Sequence, residues 1–225
     1  MIISLTGFMG CGKSSVGRRL SELLCCRFMD LDEFIVEREG RSIPEIFASE
    51  GEKGFREIEK TALCSVISAD SVRLNAPLAP SHFVGPSPYA GVRKCQFRKT
   101  ASPNEFAEIY LSQHSHTPQE THSYEDVIIL SLGGGTVMTQ ECAEMVQENS
   151  VCVYLRASVD TLVRNLQGEA EGRPMLSGGE DLRTRIEELM TLRSATYETV
   201  AHEIIDTDGL TVDQIAEKIY KSIAD

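Results

Sequence analysis

Residues 7–14, GFMGCGKS, set glycines, a lysine and a serine at the spacing G-x-x-x-x-G-K-[ST]. Glycines at such positions let the backbone curl until successive N–H groups point inward, and the lysine and hydroxyl complete a cradle for a polyphosphate. The expected nucleotide contacts are Gly10, Cys11, Gly12, Lys13, Ser14 and Ser15, with Lys13 against the β- and γ-phosphates and the Ser14 hydroxyl toward Mg²⁺. A second group, FMDLD at 28–32, sets Asp30 and Asp32 two residues apart. One carboxylate can serve a metal shell and the other a substrate hydroxyl, and either can cap a helix starting in EFIVERE. Three glycines at 133–135 follow an apolar run, where side chains would block a ligand's approach to the backbone. Residues 168–180, GEAEGRPMLSGGE, carry Arg173 among four glycines, as expected of a mobile lid.

These groups need elements to hold them. Ile2 to Thr6 reads as a strand, and Lys13 to Leu24 places Val16, Leu20, Leu23 and Leu24 at helical spacing. The nearly continuous apolar runs 126–132 and 151–155 predict parallel strands covered on both faces, with shorter strands around Phe28 and at 204–205. Helical patterns fall at 52–69, 140–147, 159–167, 182–200 and, behind a Thr211 cap, 212–223. The alternation predicts an α/β fold, a five-stranded parallel sheet with helices on both faces and ligands at the carboxyl ends of its strands. One domain is expected over residues 1–225, interrupted before the third strand by a flexible insertion at about 71–125. That stretch holds six of the eight prolines and four of the five histidines, with no zinc-like spacing.

A net charge of −12 opposes binding to a nucleic-acid backbone, so nucleic acid is not an expected partner. No apolar run reaches the roughly 18 residues of a membrane span, and Ile2–Leu5 leaves no room for a signal peptide. A cytoplasmic monomer without membrane contact is the expectation, its seven cysteines reduced.

The phosphate loop, FMDLD, SIPEIFASEGEKGFREIE, SLGGGTV, GRPML and LRSATY together resemble the shikimate kinase family, in that family's order and at compatible intervals. The resemblance implies the nucleoside-monophosphate-kinase-like P-loop fold, with ATP and shikimate as ligands and Mg²⁺ as cofactor. It implies transfer of the ATP γ-phosphate to the 3-hydroxyl of shikimate, on the route to aromatic amino acids. By the same resemblance Asp32, Lys13 and Arg173 are catalytic. Asp32 orients the acceptor hydroxyl, and Ser14 and Asp30 serve the metal. Arg56 and Arg193 take the substrate carboxylate, a task suited to the guanidinium fork. Glu59, one helical turn on, can hold Arg56, and Tyr197 can support Arg193. Phe47 and Phe55 supply an apolar wall, and Gly134 and Gly135 offer N–H groups. Arg164, with Arg173 on the nucleotide, and the turn 205–209 correspond to the surroundings of the base. The interval from Arg164 to Arg173 is longer than in comparable members, which weakens the Arg164 assignment.

Two rivals stand beside this reading. One is another small P-loop kinase, acting on a sugar acid such as gluconate or on a nucleoside monophosphate. The other is a nucleotide-binding module that transfers nothing, although such a module has no use for Asp32, Arg56, Arg173 and Arg193 together.

Overall fold

A computed structural model of the chain describes residues 1–72, 127–167 and 181–224. The predicted lid with Arg173 and nearly all of the predicted insertion lie outside the described residues. Five strands form one parallel sheet: β1 (Ile2–Thr6), β2 (Arg27–Asp30), β3 (Ile128–Ser131), β4 (Val151–Arg156) and β5 (Glu203–Asp206). Their order is β2-β3-β1-β4-β5. Ile3 pairs with Ile129 on one side and Val151 on the other, which puts β1 at the centre. All five residues of β1 are buried, as are all four of β3, which explains apolar runs without alternation. The edge strands β2 and β5 keep solvent on part of their surface and are correspondingly faint in the sequence.

Helices α1 (Lys13–Leu24), α2 (Leu31–Glu39), α3 (Ile43–Val72), α4 (Gln140–Asn149), α5 (Val159–Leu166), α6 (Leu182–Val200) and α7 (Val212–Ala224) cover the sheet. α1 packs with α7, while α4 touches both α3 and α6. Gly17 allows α1 to sit close to the sheet, since a methyl group there would come within 2.5 Å of the Phe28 ring. The Thr211 cap is present as a reciprocal pair, with Thr211 N–H on Gln214 and Gln214 N–H on the Thr211 hydroxyl.

α3 is longer than its pattern predicts and consists of two helical pieces. Ser42 and Glu45 cap its start reciprocally. At Gly51 the backbone takes φ 70° and ψ −177°, breaking the helix between Phe47 and Phe55. After 72 the described chain resumes at Val127, whose carbonyl accepts from Arg27 N–H, while Ile128 N–H donates to Met1. These contacts lie at the amino ends of the strands, opposite the edge that carries the glycine loops.

Candidate active site

At the carboxyl end of β1 the chain turns through Gly7, Gly10 and Gly12, at φ 139°, 79° and 96°. A side chain at Gly7 would meet the Leu155 carbonyl oxygen at 2.7 Å, and one at Gly10 would strike Leu166. Glycine is therefore required by both backbone conformation and space. Lys13, 8% exposed, spans the loop and donates from Nζ to the carbonyls of Gly7 and Phe8 at 2.8 and 3.0 Å. α1 starts here, so its free amide groups face the loop.

A cleft of about 400 Å³ opens beside this turn. Gly10, Gly12, Lys13, Ser14 and Ser15 line one side, and Asp30, Asp32 and Gly134 line the other. The Ser14 hydroxyl donates to Asp30 Oδ2 at 2.6 Å and stands 3.4 Å from the Ser131 hydroxyl. The other oxygen of Asp30 accepts the N–H groups of Asp32 and Glu33. Asp30 is thus the cap of α2, and Asp32 sits in its first turn with its carboxylate left for other use. Burial pushes the Asp32 carboxyl up to about 6, helped by the negative charges of Asp30 and Glu59 and opposed by Lys13 and Arg56.

The residues expected on the acceptor side converge on the glycine triplet. A methyl group on Gly133 would fall 2.8 Å from both Asp32 Oδ1 and Glu59 Oε1, so these carboxylates flank one glycine. Glu59, 1% exposed, accepts from Arg56 Nη1 at 2.6 Å and from the Thr136 hydroxyl at 2.6 Å. Burial opposes the charge on Arg56, but Glu59 and Glu52 outweigh it, and the guanidinium pKa ends above its ordinary value. That guanidinium lies over Gly135, where a methyl group would come within 2.6 Å of Nη1. Phe47 and Phe55 pack with ring centroids 4.8 Å apart, and Arg56 lies 5.4 Å above the Phe55 ring. Arg193, 6% exposed on α6, reaches the Gly134 carbonyl from Nη1 at 3.4 Å and stands over the Phe8 ring. Tyr197, one turn on, donates its hydroxyl to the same carbonyl.

Arg164 is exposed on α5 and donates to the Thr161 hydroxyl at 3.1 Å. Its neighbour Asn165, which sequence reasoning passed over, lines the cleft and donates to the Gly10 carbonyl at 2.9 Å. Thr136, Ser131 and Phe8 were passed over as well. The two hydroxyl residues bracket the glycine triplet in SLGGGT, a readable signal; nothing in the sequence marks Asn165. The turn 205–209 is pinned by Thr207 N–H on the Arg156 carbonyl and by Asp208, which accepts the Ser158 N–H.

The arrangement sets a polyphosphate cradle beside a carboxyl group pushed up to about 6. The half-buried Arg56 and the buried Arg193 guanidinium groups stand further along the same glycine strip. Such a site can bring an anionic alcohol to a nucleotide.

Known proteins are similar to this chain along most of its length. Over 221 residues the chain is 29% identical to a shikimate kinase of Thermus thermophilus, covering 98% of this chain and 89% of the relative. It is 30% identical over 222 residues to a shikimate kinase of Marinomonas sp., covering 98% and 91%. A solved shikimate kinase of Acinetobacter baumannii, in complex with shikimate, superposes with a TM-score of 0.70 at 26% identity, covering 99% of this chain and 92% of that one. The family model described as shikimate kinase matches residues 9–73 and 108–224, and the gap falls inside the stretch expected as an insertion. Because that match takes in well over half of the sequence, on both sides of the gap, the chain belongs to the shikimate kinase family.

Proposed function

We propose that this chain transfers the γ-phosphate of ATP to the 3-hydroxyl of shikimate, yielding shikimate 3-phosphate and ADP. The observation that carries this reading is the meeting of Asp32, the Arg56–Glu59 pair and Arg193 along Gly133–Gly135, beside the phosphate loop. Lys13 neutralises the β- and γ-phosphates, and backbone N–H groups from Gly10 to Ser15 receive their oxygens. Asp32 accepts the acceptor hydroxyl's hydrogen bond and takes its proton as phosphorus–oxygen bonding advances, a role suited to a carboxyl raised to about 6. Arg56 and Arg193 grip the ring carboxylate, Phe47 and Phe55 form the wall against the ring, and Gly134 and Gly135 offer N–H groups. Arg173 reaches the transferring phosphoryl group, and Arg164 borders the base.

Ser14 and Asp30 fit Mg²⁺: both offer hard oxygen atoms, and Mg²⁺ is usually held by one or two carboxylates plus phosphates rather than by a cage of side chains. When bound, Mg²⁺ neutralises phosphate charge during transfer. Among the described residues no helix is long and apolar enough to cross a membrane.

Coupled measurement of ADP release with shikimate, gluconate, a nucleoside monophosphate or no acceptor tests the reading. Shikimate alone is expected to drive ADP release above the no-acceptor background. Equal turnover with gluconate, or none with any acceptor, would reject it in favour of one of the rival readings.

A further inference from the structure

The Gly134 carbonyl has more donors than a loop carbonyl needs. Arg193 Nη1 approaches it at 3.4 Å, at the long end for a hydrogen bond, and the Tyr197 hydroxyl approaches it much more closely. Tyr197 is fully buried, its ring packed at a tilt 5.2 Å from that of Tyr154, so the hydroxyl is held in place by packing. Burial also pushes its pKa well above the ordinary tyrosine value, and it remains a donor throughout the physiological range.

The same peptide unit carries the Gly135 N–H. No peptide bond here is cis, and across a trans peptide the C=O and N–H point in opposite directions. Drawing the Gly134 carbonyl toward α6 therefore aims the Gly135 N–H away from α6. Among the described residues that N–H has no acceptor, whereas the Gly135 carbonyl accepts from Met138 N–H. The peptide is confined on other sides too: a methyl group on Gly134 would lie 3.1 Å from the Met9 nitrogen of the phosphate loop, and Arg56 covers Gly135.

We infer that Tyr197 is a positioning residue for the acceptor: its hydroxyl anchors the Gly134 carbonyl, which presents the Gly135 N–H to the bound hydroxy acid and leaves the Arg193 fork free for the acid's carboxylate. The inference rests on the proposed function and assigns Tyr197 to the peptide rather than to the arginine. Without the hydroxyl, the carbonyl is left to the long Arg193 contact alone, and the peptide gains freedom to rotate.

The test compares Tyr197→Phe with the unaltered chain in steady-state kinetics. KM for shikimate is expected to rise by roughly three- to ten-fold, the cost of one buried hydrogen bond, with kcat and KM for ATP little changed. A purely structural tyrosine would lower the melting temperature without separating the two substrates. In an Arg193→Lys background the same substitution is expected to raise KM for shikimate by at least as large a factor, because Tyr197 is then the main donor to the carbonyl. A vanishing effect there would mean that Tyr197 acts through Arg193, and the inference would be wrong. The unaltered protein gives an independent reading: the Gly135 amide proton resonance should move on adding shikimate alone, and an unmoved resonance overturns the inference even if the variant fails to fold. Absence of shikimate-dependent ADP release by the unaltered chain would reject the proposed function as well. Normal release with unchanged KM in Tyr197→Phe would reject only the role of Tyr197.

Discussion

On the proposed function Asp32 is under two opposed demands: turnover requires it ionised, and its surroundings favour the proton. Its carboxyl titrates at about 6 in the fold, against an ordinary 3.8. A carboxyl raised in this way contributes stability that is complete below the lower value and is lost as pH rises through the upper one. Asp32→Asn is therefore expected to abolish transfer yet raise the melting temperature at about pH 8, by the equivalent of roughly 2 kcal/mol, with little change near pH 4. Thermal melts at the two pH values check this, and a variant less stable than the parent at the higher pH would count against it. In the unaltered enzyme kcat/KM should fall as pH drops below about 6, where Asp32 takes up its proton. Arg56 supplies a separate check. Arg56→Lys keeps the charge but loses the fork, and should raise KM for shikimate by roughly ten-fold or more while KM for ATP stays put. Equal losses for both substrates would contradict its placement on the acceptor side.

Among the elements, α3 carries the most consequence. Its break at Gly51 separates Phe47 from Phe55, and these rings nonetheless meet at 4.8 Å. A methyl group at Gly51 would touch nothing within 4 Å, so substitution there acts through the backbone alone. Gly51→Ala should cost about 1–3 kcal/mol of stability and raise KM for shikimate more than KM for ATP, as thermal melts and kinetics can establish. The sequence announced the central strands and most helices because β1 and β3 are buried on both faces, and because amphipathic helices repeat on a fixed period. It did not announce the full length of α3. The glycine-interrupted stretch 43–51 weakens the helical pattern, and only the Ser42–Glu45 cap marks its true start. The residues of the site were legible where chemistry demands a type, as with Lys13, Ser14 and the paired aspartates. Which aspartate caps α2 was open until the fold placed Asp30 across from Ser14. Asn165 was unreadable because its contact is to a carbonyl, which any suitably placed donor can satisfy.

Over the whole molecule the sheet separates two ends. The glycine loops lie at the carboxyl ends of the strands, and the described chain resumes at Val127 against the amino ends. Replacing residues 73–126 by a short glycine–serine linker is therefore expected to leave kcat and both KM values close to those of the full chain; loss of activity in a folded deletion variant would show that this stretch serves the reaction. Asp30 has a wider effect than its size suggests. One of its oxygens is engaged by the phosphate loop and the other holds the first amides of α2, the turn on which Asp32 rides. If nucleotide binding on the proposed function loads the first oxygen, the hydrogen bonds of the second are the route by which α2 would respond. Coupling free energy is equal in both directions, so whatever factor ATP imposes on the affinity for shikimate, shikimate imposes on the affinity for ATP.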